Sequence, residues 1–172
     1  LLHATWENDR LQPAEPVTDT ERLDAELEGL RASARQLRGR LNGQFFGQEE
    51  TVEFLILSLM AGGHVLLEGA PGLGKTTLVH ALADAVDLKF QRIQCTPDLM
   101  PSDVLGTRVL RVDDDSGARS FDFEEGPVFT NVLLTDEVNR ATPRTQSALL
   151  EAMQERQVTL HGETYPLAPP FF

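Results

Sequence analysis

Residues 69–76 read Gly-Ala-Pro-Gly-Leu-Gly-Lys-Thr, a stretch of the form G-x-x-x-x-G-K-T. The glycines allow the backbone to bend so that successive N–H groups point at one anion, where a β-carbon would obstruct the approach. In this pattern the lysine reaches the β- and γ-phosphates of a nucleotide, and the next hydroxyl takes a place on Mg²⁺. The stretch therefore predicts a nucleoside triphosphate site formed by Gly69, Ala70, Pro71, Gly72, Leu73, Gly74, Lys75, Thr76 and Thr77.

The segments on either side of this loop have the patterns of a strand and a helix. Before it, Val65-Leu66-Leu67 is short, apolar and bounded by glycines, which is typical of a buried strand. After it, residues 77–86 carry apolar side chains at helical spacing, so we predict a helix whose N-terminus points at the phosphates. The simpler alternative is a glycine-rich strand-to-helix turn with an idle lysine.

A second apolar strand, residues 132–135, ends at two adjacent acids, Asp136 and Glu137. Asp136 would hold Mg²⁺ together with Thr76, and Glu137 would orient and deprotonate an attacking water. Lys75, Asp136 and Glu137 are therefore the predicted catalytic residues, and Thr76 and Asp136 the predicted metal ligands. The alternative is an acidic pair at an ordinary strand-to-turn junction.

Composition limits the classes of function that remain. The formal net charge of −12 argues against non-specific binding to nucleic acid or to anionic membranes. The longest apolar run, residues 54–61, is too short to span a bilayer. One cysteine, Cys95, excludes an internal disulfide and fits a reducing compartment, and we interpret it as a small buried hydrophobe. We expect a cytoplasmic protein without nucleic-acid binding or membrane insertion.

Three segments follow from the patterns along the chain. Residues 1–17 show no periodicity and are predicted to be an extended or disordered lead-in. Residues 18–43 are predicted to form a helical arm, opened by a Thr18/Glu21 capping box. The arm carries a heptad seam of Leu23, Leu27, Leu30, Ala34, Leu37 and Leu41. We favour packing of this seam on the protein's own core over a coiled contact with a partner. Residues 44–172 form the predicted core domain.

Helical and strand patterns alternate through that core, and two pairs of strand patterns flank short polar turns. Residues 96–106 are expected to be irregular. The remaining predictions are a helix with an apolar face over 52–60, a strand at 90–95, a helix starting at Pro143, and hairpins at 108–112/120–123 and 156–160/164–167. The fold class is therefore α/β: a three-layer αβα phosphate-loop NTPase core with a mainly parallel sheet and two β-hairpin insertions.

Several motifs beyond the phosphate loop are similar to those of the MoxR family of AAA+ ATPases. They are residues 63–69, 94–103, 126–129, 136–141 and 145–153, and the similarity covers about residues 45–172. The resemblance implies Mg²⁺-dependent ATP hydrolysis that drives chaperone-like remodelling or maturation of partner proteins, often ones with a von Willebrand factor A domain. It also implies self-association into a ring, usually a hexamer.

The resemblance also assigns further residues. Phe46 and Gly47 would lie near the adenine, and Gln94 could restrain Glu137 until a substrate arrives. Candidates for contacting a neighbour's nucleotide are Arg140, Arg144 and Arg156. The sensor strand, arginine finger, second sensor and helical lid of the family would follow residue 172, so the resemblance is to an incomplete core. Such a core is expected to bind ATP better than it hydrolyses it.

Two alternative functions stay open at this point. The first is a scaffold that assembles on ATP with negligible hydrolysis. The second is a DNA-remodelling AAA+ protein of a related clade. The acidic hairpin turn at residues 113–115 and the overall charge argue against DNA binding.

Overall fold

The structure is a computed structural model that describes residues 18–69, 72–112, 117–160 and 162–172. The predicted lead-in at 1–17 lies outside the described residues, as do Ala70, Pro71, the turn 113–116 and His161. The chain divides into two compact units, residues 1–36 and 37–172. That division falls inside the first helix, and the boundary at residues 43 and 44 stays a prediction.

The described residues contain five α-helices and six strands. The helices are α1 (Thr18–Asn42), α2 (Glu49–Met60), α3 (Lys75–Ala85), α4 (Pro101–Leu105) and α5 (Pro143–Glu155), with a 3₁₀ turn at Val138–Arg140. The strands are β1 (Phe90–Gln94), β2 (Gly106–Val112), β3 (Arg119–Glu125), β4 (Val132–Asp136), β5 (Gln157–Leu160) and β6 (Glu163–Pro166). No helix within these residues is both long enough and apolar enough to cross a membrane.

Helix α1 is charged, and the part of its leucine seam that lies in the first unit is exposed, whereas Leu41 near the end of the helix is buried. Glu28 pairs with Arg35 at 2.7 Å, and Arg22 pairs with Glu26 at 3.0 Å. The seam leucines Leu23, Leu27 and Leu30 are about half exposed or more. The favoured packing of the seam on the protein's own core stays a prediction for these three residues. The side chains of the predicted capping box lie outside the described residues.

The second unit is built around the parallel pair of β1 and β4, which lies between helices. The pairing runs from Phe90 opposite Val132 to Gln94 opposite Asp136. Alternate residues of β4 point to opposite faces, as the period of a strand requires. Leu134 packs with Val79 and Ala83 of α3, whereas Leu133 packs against the cluster that contains Leu149 and Ala152 of α5. This arrangement confirms the predicted α/β architecture.

Both predicted hairpins are present, with longer strands in the first. Strands β2 and β3 pair from Gly106 opposite Glu125 to Val112 opposite Arg119, and β5 pairs with β6. The two hairpins contact each other: Phe123 stacks on Tyr165 with ring centroids 4.2 Å apart, and Arg108 forms an ion pair with Glu163.

Two local predictions are wrong. Val65-Leu66-Leu67 is not a strand, and the Leu66 side chain is 77% exposed. Both this segment and residues 132–134 line one cleft, but no described strand pairs with residues 65–67, so no backbone ladder forms there. The expected irregular stretch 96–106 contains α4, because Pro101 starts that helix and the Asp103 carboxylate accepts a hydrogen bond from the Met100 N–H at 2.8 Å.

Candidate nucleotide site

One cleft of about 1070 Å³ brings together most of the residues that the sequence singles out. Its lining includes the described part of the phosphate loop, Gly69 and residues 72–77. It also includes the carboxyl end of β4 with Asp136 and Glu137. Two segments that are distant in sequence therefore form one site, at the edge of the sheet where ligands bind in open α/β folds.

The N-terminus of α3 is built to receive an anion. Gly72 and Gly74 have left-handed φ angles of 84° and 74°, which glycine adopts without a steric penalty. Gly74 is the N-cap residue of α3 and supplies no side-chain cap, so the first N–H groups of the helix remain available. No described atom lies within 4 Å of the place where a β-carbon on either glycine would stand. This open space fits a phosphate group.

Lys75 lies across the mouth of this loop. Its ammonium nitrogen donates a hydrogen bond to the Gly69 carbonyl oxygen at 2.7 Å. Because this acceptor is a neutral carbonyl at an exposed position, a phosphate oxygen can replace it at little cost. Thr76 and Thr77 follow on the first turn of α3 and also line the cleft.

Phe46 and Gly47 are not among the described residues that line the cleft. Phe46 is 83% exposed. The next residue, Gln48, donates from its side-chain amide to the Leu73 carbonyl at 3.2 Å, which brings this turn close to the phosphate loop. The contact of Phe46 and Gly47 with an adenine therefore stays a prediction.

The two acids at the end of β4 have different surroundings. The Asp136 side chain is 22% exposed and forms an ion pair with Arg92 at 2.6 Å. The Glu137 side chain is 51% exposed and forms an ion pair with Arg140 at 2.7 Å. Glu137 has a left-handed φ of 54°, uncommon for a residue with a β-carbon, which turns the chain sharply after the strand. The less exposed Asp136 is therefore suited to binding a metal ion, and the more exposed Glu137 to contacting a water molecule.

Arg92 also lines the cleft, and sequence reasoning did not single it out. It lies on β1 two residues before Gln94, so both side chains project from the same face of the strand. Its guanidinium donates to the Gln94 amide oxygen at 3.2 Å, while Glu137 accepts from Arg140. The proposed restraint of Glu137 by Gln94 therefore stays a hypothesis. The signal in the sequence is that Arg92 is the one charged residue in a predicted strand of apolar residues and glutamines.

Cys95 follows β1 directly and is fully buried, which confirms its interpretation as a small hydrophobe. Burial raises the pKa of the Cys95 thiol above its usual value, and the negative charges of Asp136 and Glu137 raise it further. The thiol stays protonated at neutral pH and is not a nucleophile.

The donor set fits Mg²⁺. Thr76 offers a hydroxyl and Asp136 a carboxylate, and Mg²⁺ is held in proteins by one or two such oxygens together with phosphate and water. No cluster of three or more metal-ligating side chains occurs within the described ranges. A metal held partly by a nucleotide needs no such cluster.

The three candidate arginines differ in their present contacts. Arg140 is paired with Glu137, and the Arg156 guanidinium donates to the Gly62 carbonyl at 3.0 Å. Arg144 is exposed in the first turn of α5. Among these three described residues, Arg144 is the one for which no side-chain hydrogen bond or ion pair is seen.

Comparisons with known proteins identify the family of the chain. The profile of the ATPase family associated with various cellular activities (AAA) matches residues 64–172. Chaperone MoxR1 of Mycobacterium tuberculosis is 51% identical over 125 residues, which are 73% of this chain and 32% of that protein. Protein MoxR of Paracoccus denitrificans is 34% identical over 148 residues, 83% of this chain and 42% of that protein.

A solved structure is similar as well. The crystal structure of a candidate ATPase from Cytophaga hutchinsonii superimposes with a TM-score of 0.75 at 43% sequence identity, over 88% of this chain and 45% of that one. The chain belongs to the AAA family of ATPases. Within that family it is of the MoxR type, which confirms the resemblance of the motifs. It spans about a third to two fifths of the length of the two curated relatives named above.

Proposed function

We propose that this chain binds ATP with Mg²⁺ and hydrolyses it, as the nucleotide-binding core of a MoxR-type chaperone. The observation that carries the proposal is the meeting of Lys75 and Thr76 with Asp136 and Glu137 in one cleft. Family membership supports it, because nucleotide binding is a general property of AAA ATPases.

Binding rests on the loop and on α3. The uncapped N–H groups at the start of α3 would bind the phosphates, and the left-handed glycines keep β-carbons out of their way. Lys75 would exchange its Gly69 carbonyl for phosphate oxygens. That exchange replaces a neutral acceptor by a charged one, which strengthens the hydrogen bond.

Hydrolysis rests on the two acids. Thr76 and Asp136 would hold Mg²⁺, and a bound Mg²⁺ neutralises charge on the phosphate oxygens during transfer. Glu137 would orient a water and accept its proton, for which its half-exposed carboxylate is accessible. Glu137 must first give up, at least in part, its ion pair with Arg140. Exposed pairs of this kind are worth only about 0.2–1 kcal/mol, so the exchange is easy.

A further part of the proposal concerns assembly and the action on partner proteins. We propose that the chain acts within a ring of subunits, where Arg144 is available to reach a neighbour's nucleotide, and that the ring remodels or matures partner proteins. A protein with a von Willebrand factor A domain is the proposed class of substrate. The name of one curated relative, chaperone MoxR1, supports the remodelling role, and the ring and the class of substrate follow from the resemblance of the motifs.

The first experiment measures binding of a fluorescent ADP analogue to the wild type, to Lys75→Ala and to a matched control. Lys89→Ala is the control, since Lys89 is the only other lysine of the chain, is exposed and does not line the cleft. Lys75→Ala is expected to weaken binding at least tenfold, and Lys89→Ala to leave it unchanged. Equal affinities in all three proteins would refute the phosphate-loop assignment.

The second experiment measures steady-state ATP turnover with Mg²⁺ over a range of protein concentrations. Glu137→Gln is expected to retain ATP and lose turnover, with Glu155→Gln as an exposed control outside the cleft. A turnover rate per subunit that rises with protein concentration supports an active site that is completed between subunits. Binding without turnover in the wild type would overturn the proposal that this chain itself hydrolyses ATP; the scaffold would be favoured only by ATP-dependent assembly and near-zero turnover in a longer chain as well. Turnover of Glu137→Gln equal to the wild type would remove Glu137 from the mechanism.

A further inference from the structure

The carboxylate of Asp136, which is the proposed metal ligand, forms an ion pair with Arg92 of the same chain. Both Nε and a terminal nitrogen of Arg92 contact the same oxygen, Oδ2 of Asp136, at 2.7 and 2.6 Å. The two residues lie on adjacent parallel strands and are 44 positions apart in sequence. Two donors on one oxygen at these distances make a charge-assisted contact.

The position of Arg92 makes this contact relevant to the site. Arg92 lines the same cleft as Lys75, Thr76 and Asp136. Its side chain is 49% exposed, so the guanidinium can move into solvent without a large burial penalty. A divalent cation near Asp136 and the guanidinium therefore need the same carboxylate, and they repel each other.

We propose that Arg92 is a positioning residue that serves as the counterion of Asp136 until a metal arrives and is displaced when the metal binds. The proposal rests on the assignment of Asp136 as a metal ligand in the proposed function. Arg92 holds the Asp136 carboxylate in place at the end of β4 through these two contacts. Because Arg92 competes for the same carboxylate, it also lowers the affinity of the site for a divalent cation.

Displacement of Arg92 has a second consequence on β1. The same guanidinium donates to the Gln94 amide oxygen at 3.2 Å. Because the same terminal nitrogen of Arg92 makes both contacts, displacement from Asp136 is also expected to loosen the contact with Gln94.

The test measures Mn²⁺ binding by electron paramagnetic resonance of the free ion, with the chain saturated with ADP. Arg92→Gln is expected to bind Mn²⁺ about two- to fivefold more tightly than the wild type, because it no longer competes for Asp136 and an exposed ion pair is of that strength. Arg92→Lys keeps the charge and is expected to lie between the two.

Arg111→Gln is the matched control. It removes the same charge from another arginine–aspartate pair, Arg111 with Asp122 at 3.0 Å, on a hairpin that does not line the cleft. Its Mn²⁺ affinity is expected to equal that of the wild type. Circular dichroism and ADP affinity in the presence of EDTA verify that each variant is folded and retains its phosphate loop.

Mn²⁺ affinity in Arg92→Gln that is unchanged or weaker, in a folded protein that still binds ADP, would overturn the proposal. Equal tightening in Arg111→Gln would also overturn it, since the effect would then be one of net charge. The variant Asp136→Asn distinguishes a failure of the metal assignment from a failure of the proposed role of Arg92. If that variant binds Mn²⁺ as the wild type does, the metal assignment of the proposed function is wrong, whatever Arg92→Gln shows.

Discussion

Gly106, at the start of β2, offers a sharp test of how the first hairpin is anchored. Its backbone has φ 100° and ψ 178°, a conformation essentially confined to glycine. A β-carbon added there would stand closer than 3.0 Å to backbone atoms of Glu124 and Gly126. Backbone atoms of a paired strand cannot move aside as the end of a flexible side chain can.

Gly106→Ala therefore combines two costs. Strain at such a backbone position costs about 2 kcal/mol, and overpacking against a rigid neighbour costs about 2 kcal/mol more. Gly117→Ala on the same hairpin is the control. Gly117 has φ 67°, but no described atom lies within 4 Å of its added β-carbon, so only about 1 kcal/mol of strain is expected.

Urea unfolding followed by far-UV circular dichroism separates the two variants. With an m-value of about 2 kcal/mol/M, the midpoint is expected to fall by about 2 M for Gly106→Ala and by about 0.5 M for Gly117→Ala. An unchanged m-value is required for the comparison. A midpoint for Gly106→Ala that matches the control would refute the close approach of the two strands.

Three further predictions concern other parts of the second unit. Thr145 is fully buried and its hydroxyl donates to the Leu99 carbonyl at 2.8 Å, so Thr145→Val is expected to cost about 1–3 kcal/mol in urea unfolding, and Thr145→Ser much less. Cys95, buried and with a raised pKa, is expected to react with iodoacetamide at pH 8 at least tenfold more slowly in the native protein than in urea; equal rates would contradict its burial. Deleting residues 113–117 is expected to leave the affinity for the ADP analogue within twofold of the wild type, because the strands of that hairpin do not line the cleft; a larger loss would place the hairpin at the nucleotide.

The parts of the fold and site that sequence predicts are those whose chemistry is local. The turn at Gly72 and Gly74 needs left-handed residues, and the glycines that supply them stand in a recognisable pattern. The apolar run of β4 followed directly by Asp136 and Glu137 is likewise contained in a few residues. Their meeting in one cleft follows from parallel strands whose carboxyl ends share an edge.

The features that sequence missed depend on contacts between distant segments. Arg92 reads as a charge in a strand, and only the register of β1 on β4 shows that it reaches Asp136. Residues 65–67 have the composition of a buried strand, yet a strand also needs a neighbour to pair with. The spacing of the α1 leucines likewise does not predict which of them are exposed, because a heptad pattern does not identify the surface that packs against it.

The pairing of β4 explains why the acids occupy the centre of the site. On one edge β4 pairs with β1. On the other edge the Phe172 N–H donates to the Asn131 carbonyl at 2.8 Å, and the Leu133 N–H donates to the Phe172 carbonyl at 2.9 Å, which is the pattern of a parallel strand. The start of β4 is therefore bonded on both edges, and at its carboxyl end the Cys95 N–H, directly after β1, donates to the Asp136 carbonyl at 2.9 Å. Asp136 and Glu137 therefore start from a fixed backbone, and the freedom that remains lies in their side chains and in the arginines that hold them.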